Sequence, residues 1–325
     1  MTHEFPESDL RHVLAQTQSF WPRLAGSNVL LTGASGFVGS WLVETFLWAN
    51  RQLKLGARLY ALTRHPETLR SADTSLLVLT GDIKSFRFPS APLHYIIHAA
   101  VEHETTNLPG AQHLLEIART YGDPRILFTS SGAVYGEQPS TLSYVAEDFI
   151  GTPLPDNIYA QGKLELEQLL LNSGPDVVIA RLFAFAGPKL PLDKNFAVGN
   201  FVRDALRGGP ICIEGDGTPL RSYLYAADLA VWLWTMLIHG APARTYNVGS
   251  DQPVSILELA RTVERVCGVT RGVSVAQIPA SGEPPKRYIP SIARARSELN
   301  LQPLVTLEDG IQRMYEWYQN YTSTK

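Results

Sequence analysis

The chain has 325 residues, 45% of them hydrophobic, enough for a large core and long enough to divide into two lobes. A net charge of −3 with no long basic run argues against nucleic acid as a partner. Cys212 and Cys267 lie far apart, which suggests neither a disulfide framework nor a zinc site, and no metal is expected.

The opening MTHEFPESDL carries neither a basic nor a long apolar segment, and the longest apolar stretch, 229–238, is too short to cross a bilayer. These features predict a soluble cytoplasmic protein without a membrane partner. Within residues 1–27, Leu10, Val13 and Leu14 predict an added helix, with Trp21 beyond it, packing on the main sheet. In VLLTGASGFVGSWL (29–42) an apolar run suits a strand buried on both faces, and Phe37, Val38, Trp41 and Leu42 then recur at helical spacing. Between them, Gly33, Gly36 and Gly39 permit positive φ and let a ligand approach the backbone, while the N–H groups of the new helix face the gap. A dinucleotide pyrophosphate suits that turn. Further strands are predicted at 58–63, 76–83, 95–100, 126–131 and 177–183, separated by loops or helical patterns. This is the rhythm of an α/β, Rossmann-type, doubly wound parallel sheet, whose ligands sit at the carboxyl ends of the strands. After Gly187-Pro188 the rhythm breaks into a helix at 195–207, a strand at 211–214 and the turn GDGTP. We therefore expect a dinucleotide-binding domain of 1–186 plus 223–251 and a smaller, largely C-terminal substrate lobe of 187–222 plus 252–325. Thr306 and Asp309 form a capping-box pattern ahead of a final helix.

Two stretches carry chemistry directly. In YAQGK (159–163), Tyr159 and Lys163 stand four apart and share a helix face. The ammonium is expected to stabilise the phenolate and lower the Tyr159 pKa, making the phenol an acid/base for a carbinol or carbonyl. Ser131 ends a predicted strand nearby, and Ser130 is read as strand structure. The second predicted strand ends in Thr63-Arg64, where an acidic residue would bind the adenosine ribose and repel a 2′-phosphate; the guanidinium points to NADP, with NAD the alternative.

The motifs TGASGFVG (32–39), GDI (81–83), HAA (98–100), SSGAVYG (130–136), YAQGK (159–163), RLFAFAGP (181–188), GDGTPLRSYLYAADLA (215–230) and YNVGS (246–250) occur together and in order. They resemble the extended short-chain dehydrogenase/reductases, specifically the NAD-dependent epimerase/dehydratase family, which mostly acts on nucleotide-diphosphate sugars. The resemblance implies that Ser131 hydrogen-bonds the reacting oxygen, Tyr159 transfers its proton, and Lys163 holds the tyrosine and the nicotinamide ribose. It implies a cofactor site of Gly33, Ser35, Gly36, Phe37, Val38, Gly39, Arg64, Asp82, Ile83, Ala99 and Ala100, with Tyr159 and Lys163. Arg221 and Arg287 fall where the family meets the diphosphate, and Asn195 or Asn200 would add an amide. A homodimer is implied as well. His98 is assigned no role.

Three departures from the family pattern narrow the chemistry. Ala184 replaces a common asparagine, the segment 100–107 is short and removes part of the usual wall, and Gly132 and Ala133 replace acidic side chains that 4,6-dehydratases use. The resulting expectation is NADPH-dependent reduction of a 4-keto nucleotide sugar. The alternatives are an NAD-dependent 4-epimerase and a non-catalytic NADP-binding sensor or scaffold.

Overall fold

The computed structural model describes residues 5–322 apart from 70, 101–107, 150–156, 175 and 281. Most of the shortened wall expected at 100–107 therefore lies outside the described residues. Chain order runs α1 (Glu7–Thr17), β1 (Asn28–Thr32), α2 (Phe37–Leu53), β2 (Arg58–Thr63), β3 (Leu76–Thr80), β4 (Tyr95–His98), α3 (Leu108–Thr120), β5 (Arg125–Ser131), α4 (Ile158–Leu171) and β6 (Val177–Leu182). It continues with β7 (Phe185–Ala186), α5 (Ala197–Leu206), β8 (Ile211–Ile213), β9 (Leu220–Arg221), β10 (Leu224–Tyr225), α6 (Ala226–His239), β11 (Arg244–Val248) and β12 (Val254–Ser255). Last come α7 (Ile256–Cys267), β13 (Val273–Val275), β14 (Arg287–Tyr288), α8 (Ala293–Leu299) and α9 (Leu307–Thr322).

Seven strands form one parallel sheet in the order β11-β6-β5-β4-β1-β2-β3. Its strand order reverses between β1 and β4, which leaves a crevice at their carboxyl ends. β1 is buried along its whole length and β2 beyond Arg58, as strands covered on both faces must be. α2 and α6 pack one face, and α3 and α4 the other. α5, α7 and α9 form a separate apolar cluster with β8. β3 stops at Thr80, short of the expected 83, because the Asp82 carboxylate accepts the Lys84 N–H at 2.9 Å and turns the chain, sending Ile83 into the core. The Thr306 hydroxyl caps α9 by accepting the Asp309 N–H at 3.1 Å.

The N-terminal helix departs from expectation. α1 packs on α2 and α6 as an outer layer, away from the sheet itself. That placement explains the 229–238 stretch, where every residue is buried: one side of α6 faces the sheet and α1 covers the other. No described helix is long and apolar enough to cross a membrane.

Polar groups anchor α1. Fully buried Asp9 accepts hydrogen bonds from the Tyr225 hydroxyl and from Arg313 of α9, each at 2.6 Å. His12 meets Asp228 at 2.8 Å, and the same carboxylate accepts the Leu304 and Val305 N–H groups. Asp9→Ala leaves Tyr225 and Arg313 without their shared acceptor in a closed space. We expect a loss of about 3 kcal/mol in unfolding free energy, read by denaturant titration; a change within error would show that α1 docks through apolar contact alone.

Candidate active site

A cleft of about 740 Å³ opens at the carboxyl ends of β1, β4, β5 and β6. Its floor is the turn after β1. Gly33 has φ +71°, and a Cβ there would stand 2.6 Å from the Ala99 carbonyl oxygen; a Cβ on Gly39 would stand 2.2 Å from the Gly33 oxygen. These two glycines let the turn and α2 close against β4. Gly36 is different, since a Cβ there would meet only the Gly33 oxygen at 3.3 Å. It begins α2 without a side-chain cap, so the first N–H groups of the helix remain available to an anion in the cleft.

The far wall carries the hydroxyls. Ser131 ends β5 and its Oγ accepts the Ala133 N–H at 3.2 Å, capping a short helical turn. Tyr159, half-exposed in the first turn of α4, lines the same cleft as Ser131. One turn on, buried Lys163 donates to the Thr129 carbonyl at 2.9 Å and lies 4.8 Å from the Phe128 ring centre. The expected fall in the Tyr159 pKa is not found. Burial raises it above its ordinary value, offset in part by Ser131. The Lys163 nitrogen lies 6.0 Å from the tyrosine ring centre and donates to the Thr129 carbonyl. His98 is structural: its Nδ1 shares a hydrogen bond with the Thr32 hydroxyl at 2.8 Å, and burial, with Lys163 adding, lowers its pKa to about 3. Ser130 is structural too, donating to Glu167, which forms a buried ion pair with Arg181.

The family profile described as NAD dependent epimerase/dehydratase matches residues 29–249. The chain belongs to that family. UDP-glucuronic acid decarboxylase 1 of Arabidopsis thaliana is 28% identical over 312 residues, spanning 90% of this chain and 70% of the relative. In fold, the chain is similar to a UDP-glucose 4-epimerase of Thermotoga maritima solved with UDP-glucose (TM-score 0.76, 22% identity, 91% of this chain and 99% of that one). It is likewise similar to a dTDP-glucose 4,6-dehydratase of Streptomyces venezuelae solved with NAD (TM-score 0.76, 24% identity, 91% and 98%).

As a member of the epimerase/dehydratase family the chain is an enzyme, and its cleft gathers most of the expected residues. Gly33, Gly36, Phe37, Val38, Gly39, Ala99, Ser131, Tyr159, Lys163, Asn195 and Arg221 line it. Ser35 accepts the Thr63 hydroxyl at 2.9 Å, joining the turn to the end of β2. Ala100 follows β4, its N–H donating to Thr32. Asp82 stands beyond β3, beside the end of β2, while buried Ile83 belongs to the core. Asn200 and Arg287 do not line the cleft; the Asn200 side chain accepts from Arg203 at 3.4 Å. In β14, alternation places Arg287 and Tyr288 on opposite faces, and Tyr288 is the one on the cleft. Sequence reasoning also missed Phe183, Phe185 and Tyr223, whose rings line the cleft. The closed glycine turn, the uncapped helix start and the buried ammonium fit a nicotinamide dinucleotide.

The glycines provide a graded test. Gly39→Ala drives a methyl into backbone and should cost about 3 kcal/mol or more of stability, whereas Gly36→Ala should stay within about 1 kcal/mol. Chemical denaturation of the two variants checks this, and equal losses would contradict the packing described.

Proposed function

We propose that the chain transfers a hydride at carbon 4 of a nucleotide-diphosphate sugar, in net terms reducing a 4-keto sugar with NADPH. The observation that carries the cofactor preference is the end of β2. There Thr63 replaces an acid, and exposed Arg64 has no hydrogen-bond or ion-pair partner among the described residues. A free guanidinium beside the adenosine ribose suits a 2′-phosphate, and no carboxylate repels it. Asp82 would flank the adenine side of that pocket.

A bound nicotinamide supplies the hydride that adds to carbon 4. The protein's residues do the rest. Ser131 donates to the carbonyl oxygen as negative charge builds there, and Tyr159 delivers the proton that completes the carbinol. Lys163 contributes a fixed positive charge one helical turn away and reaches the nicotinamide ribose. Arg221, with Asn195 across the cleft, meets the diphosphate. Elimination of water is unsupported, since Gly132 and Ala133 cannot ionise. Glu147, in the loop after Tyr144, is nearly buried, accepts the Asn247 N–H at 2.9 Å and lies 3.8 Å from Arg294.

A second reading is redox-neutral: the sugar is oxidised and reduced again at carbon 4 in one turnover, giving a 4-epimer or, from a uronic acid, a decarboxylated sugar. The similarity to UDP-glucuronic acid decarboxylases favours it. A 4-keto uronic acid is a β-keto acid, which loses carbon dioxide without a base at position 132 or 133.

UDP-glucose, UDP-glucuronic acid and a dTDP-4-keto-6-deoxy sugar, incubated with NADPH or NAD and followed by mass spectrometry, separate the readings. Reduction adds two hydrogens, epimerisation leaves the mass unchanged, and decarboxylation removes carbon dioxide. Loss of water at catalytic rate would overturn both. Tyr159→Phe should slow whichever reaction is found by about 100- to 10,000-fold while cofactor still binds. Because burial holds the phenol above its ordinary pKa, reduction should run level through neutral pH and decline only in alkaline buffer, as the donating form is lost.

Arg64→Ala should weaken NADPH binding by on the order of 1.5–3 kcal/mol, about 10- to 100-fold in Kd, and leave NADH binding unchanged. Equal wild-type affinities for the two cofactors, measured by calorimetry, would shift the balance to the redox-neutral reading.

A further inference from the structure

The turn after β1 is tied to the end of β2 at two points. The Ala34 N–H donates to the Leu62 carbonyl at 3.3 Å, and one residue further on in each segment the Thr63 hydroxyl donates to Ser35 Oγ at 2.9 Å. Thr63 Oγ1 also accepts the His65 N–H at 2.9 Å. Arg64 lies between these two residues, so the Thr63 hydroxyl closes the backbone around it.

Counting protons sets the direction of the side-chain bond. Thr63 is buried, and a hydroxyl shut off from water has to give its single proton to an acceptor. The His65 N–H is a donor and cannot take it, whereas Ser35 Oγ stands within reach. Ser35 therefore spends one lone pair on Thr63 and keeps its own proton, for which no acceptor is found among the described residues. Ser35 is only partly buried, so that proton is open to a ligand. An acid at position 63 would reverse the arrangement. A carboxylate has no proton to give, so it would draw the Ser35 O–H to itself and repel a phosphate as well.

We propose that Thr63 is a positioning residue for cofactor selection: by donating to Ser35 Oγ it leaves the Ser35 proton for an oxygen of the adenosine 2′-phosphate, as a second donor beside Arg64. This rests on the reading of NADPH as the preferred cofactor. The change from an acid to Thr63 then does two things, removing a repulsive charge and turning the neighbouring hydroxyl outward.

2′,5′-ADP and 5′-ADP differ only in the 2′-phosphate, and calorimetry on the full chain gives a Kd for each. The wild type should bind 2′,5′-ADP at least about tenfold more tightly. Thr63→Val keeps the branched side chain and removes the donor. It should weaken 2′,5′-ADP about fivefold and leave 5′-ADP within about twofold. Thr63→Ser restores the hydroxyl and should restore the wild-type ratio, a recovery that loosened packing of β2 would not give. Ser35→Ala combined with Thr63→Val should bind 2′,5′-ADP no more weakly than Ser35→Ala alone, since Thr63 acts through the serine. An unchanged ratio in Thr63→Val, or losses that multiply in the double variant, would overturn the proposal and leave the Arg64 reading standing. If Thr63→Val does not fold, Thr63→Ala is read on the same two ligands. A wild type that binds both ligands equally would overturn the NADPH reading and this proposal with it.

Discussion

A single buried charge organises the site. Lys163 is 2% exposed, and an ammonium removed from water to that extent persists only with compensating partners. It has the Thr129 carbonyl at the end of β5 and the face of Phe128. Those contacts set the rotation of α4 against the sheet, and that rotation carries Tyr159 to the rim beside Ser131. The same cation constrains its surroundings. His98, on the neighbouring strand β4, stays neutral with a pKa lowered to about 3, and its hydrogen bond with Thr32 ties β4 to β1 where the glycine turn begins. The glycine turn and the Ser131 and Tyr159 hydroxyls are thereby joined through the ends of three strands.

The smaller cluster of α5, α7 and α9 meets the sheet through polar anchors as well as apolar contact. Asp9 joins α1 to Tyr225 at the start of α6 and to Arg313 in α9, so the N-terminal helix spans both groups of elements. Arg221 and Tyr288 stand opposite one another on the short sheet, and both line the cleft. Placement of the substrate side depends on contacts remote from the cleft.

What was legible in the sequence was what depends on local spacing. The turn at 33–39, the Tyr159/Lys163 pair and the run of buried strands each follow from residues close in the chain, and the parallel order follows from alternation of strand and helix. What was not legible depends on distant partners. The position of α1 outside α6 requires knowing that α6 is apolar all round because two layers cover it. The Tyr159 pKa moved opposite to expectation because helical spacing brings Lys163 to the same face but says nothing about the burial that raises it. In KRYIPS, attention fell on Arg287, yet strand alternation gives the cleft to only one of two neighbours, and the register with Arg221 decides for Tyr288.

That choice of neighbour also explains why Gly132 belongs where it is. A side chain at 132 would collide with the Phe183 ring and the Tyr288 hydroxyl, each 2.7 Å from its Cβ, so an ionisable group there and an inward-facing Tyr288 are mutually exclusive. The departure from the dehydratase pattern therefore has a packing cause: the two rings fill the space beside position 132. A carboxylate beside Ser131 would accept protons from the sugar and add a negative charge near the developing oxyanion. A glycine leaves that charge out. On the proposed reading, such a wall suits the step in which negative charge collects on the oxygen at carbon 4, while Gly132 and Ala133 offer no group to remove a proton from the adjacent carbon. Any further change on that reading is then left to reactivity that the ketone itself confers on the sugar.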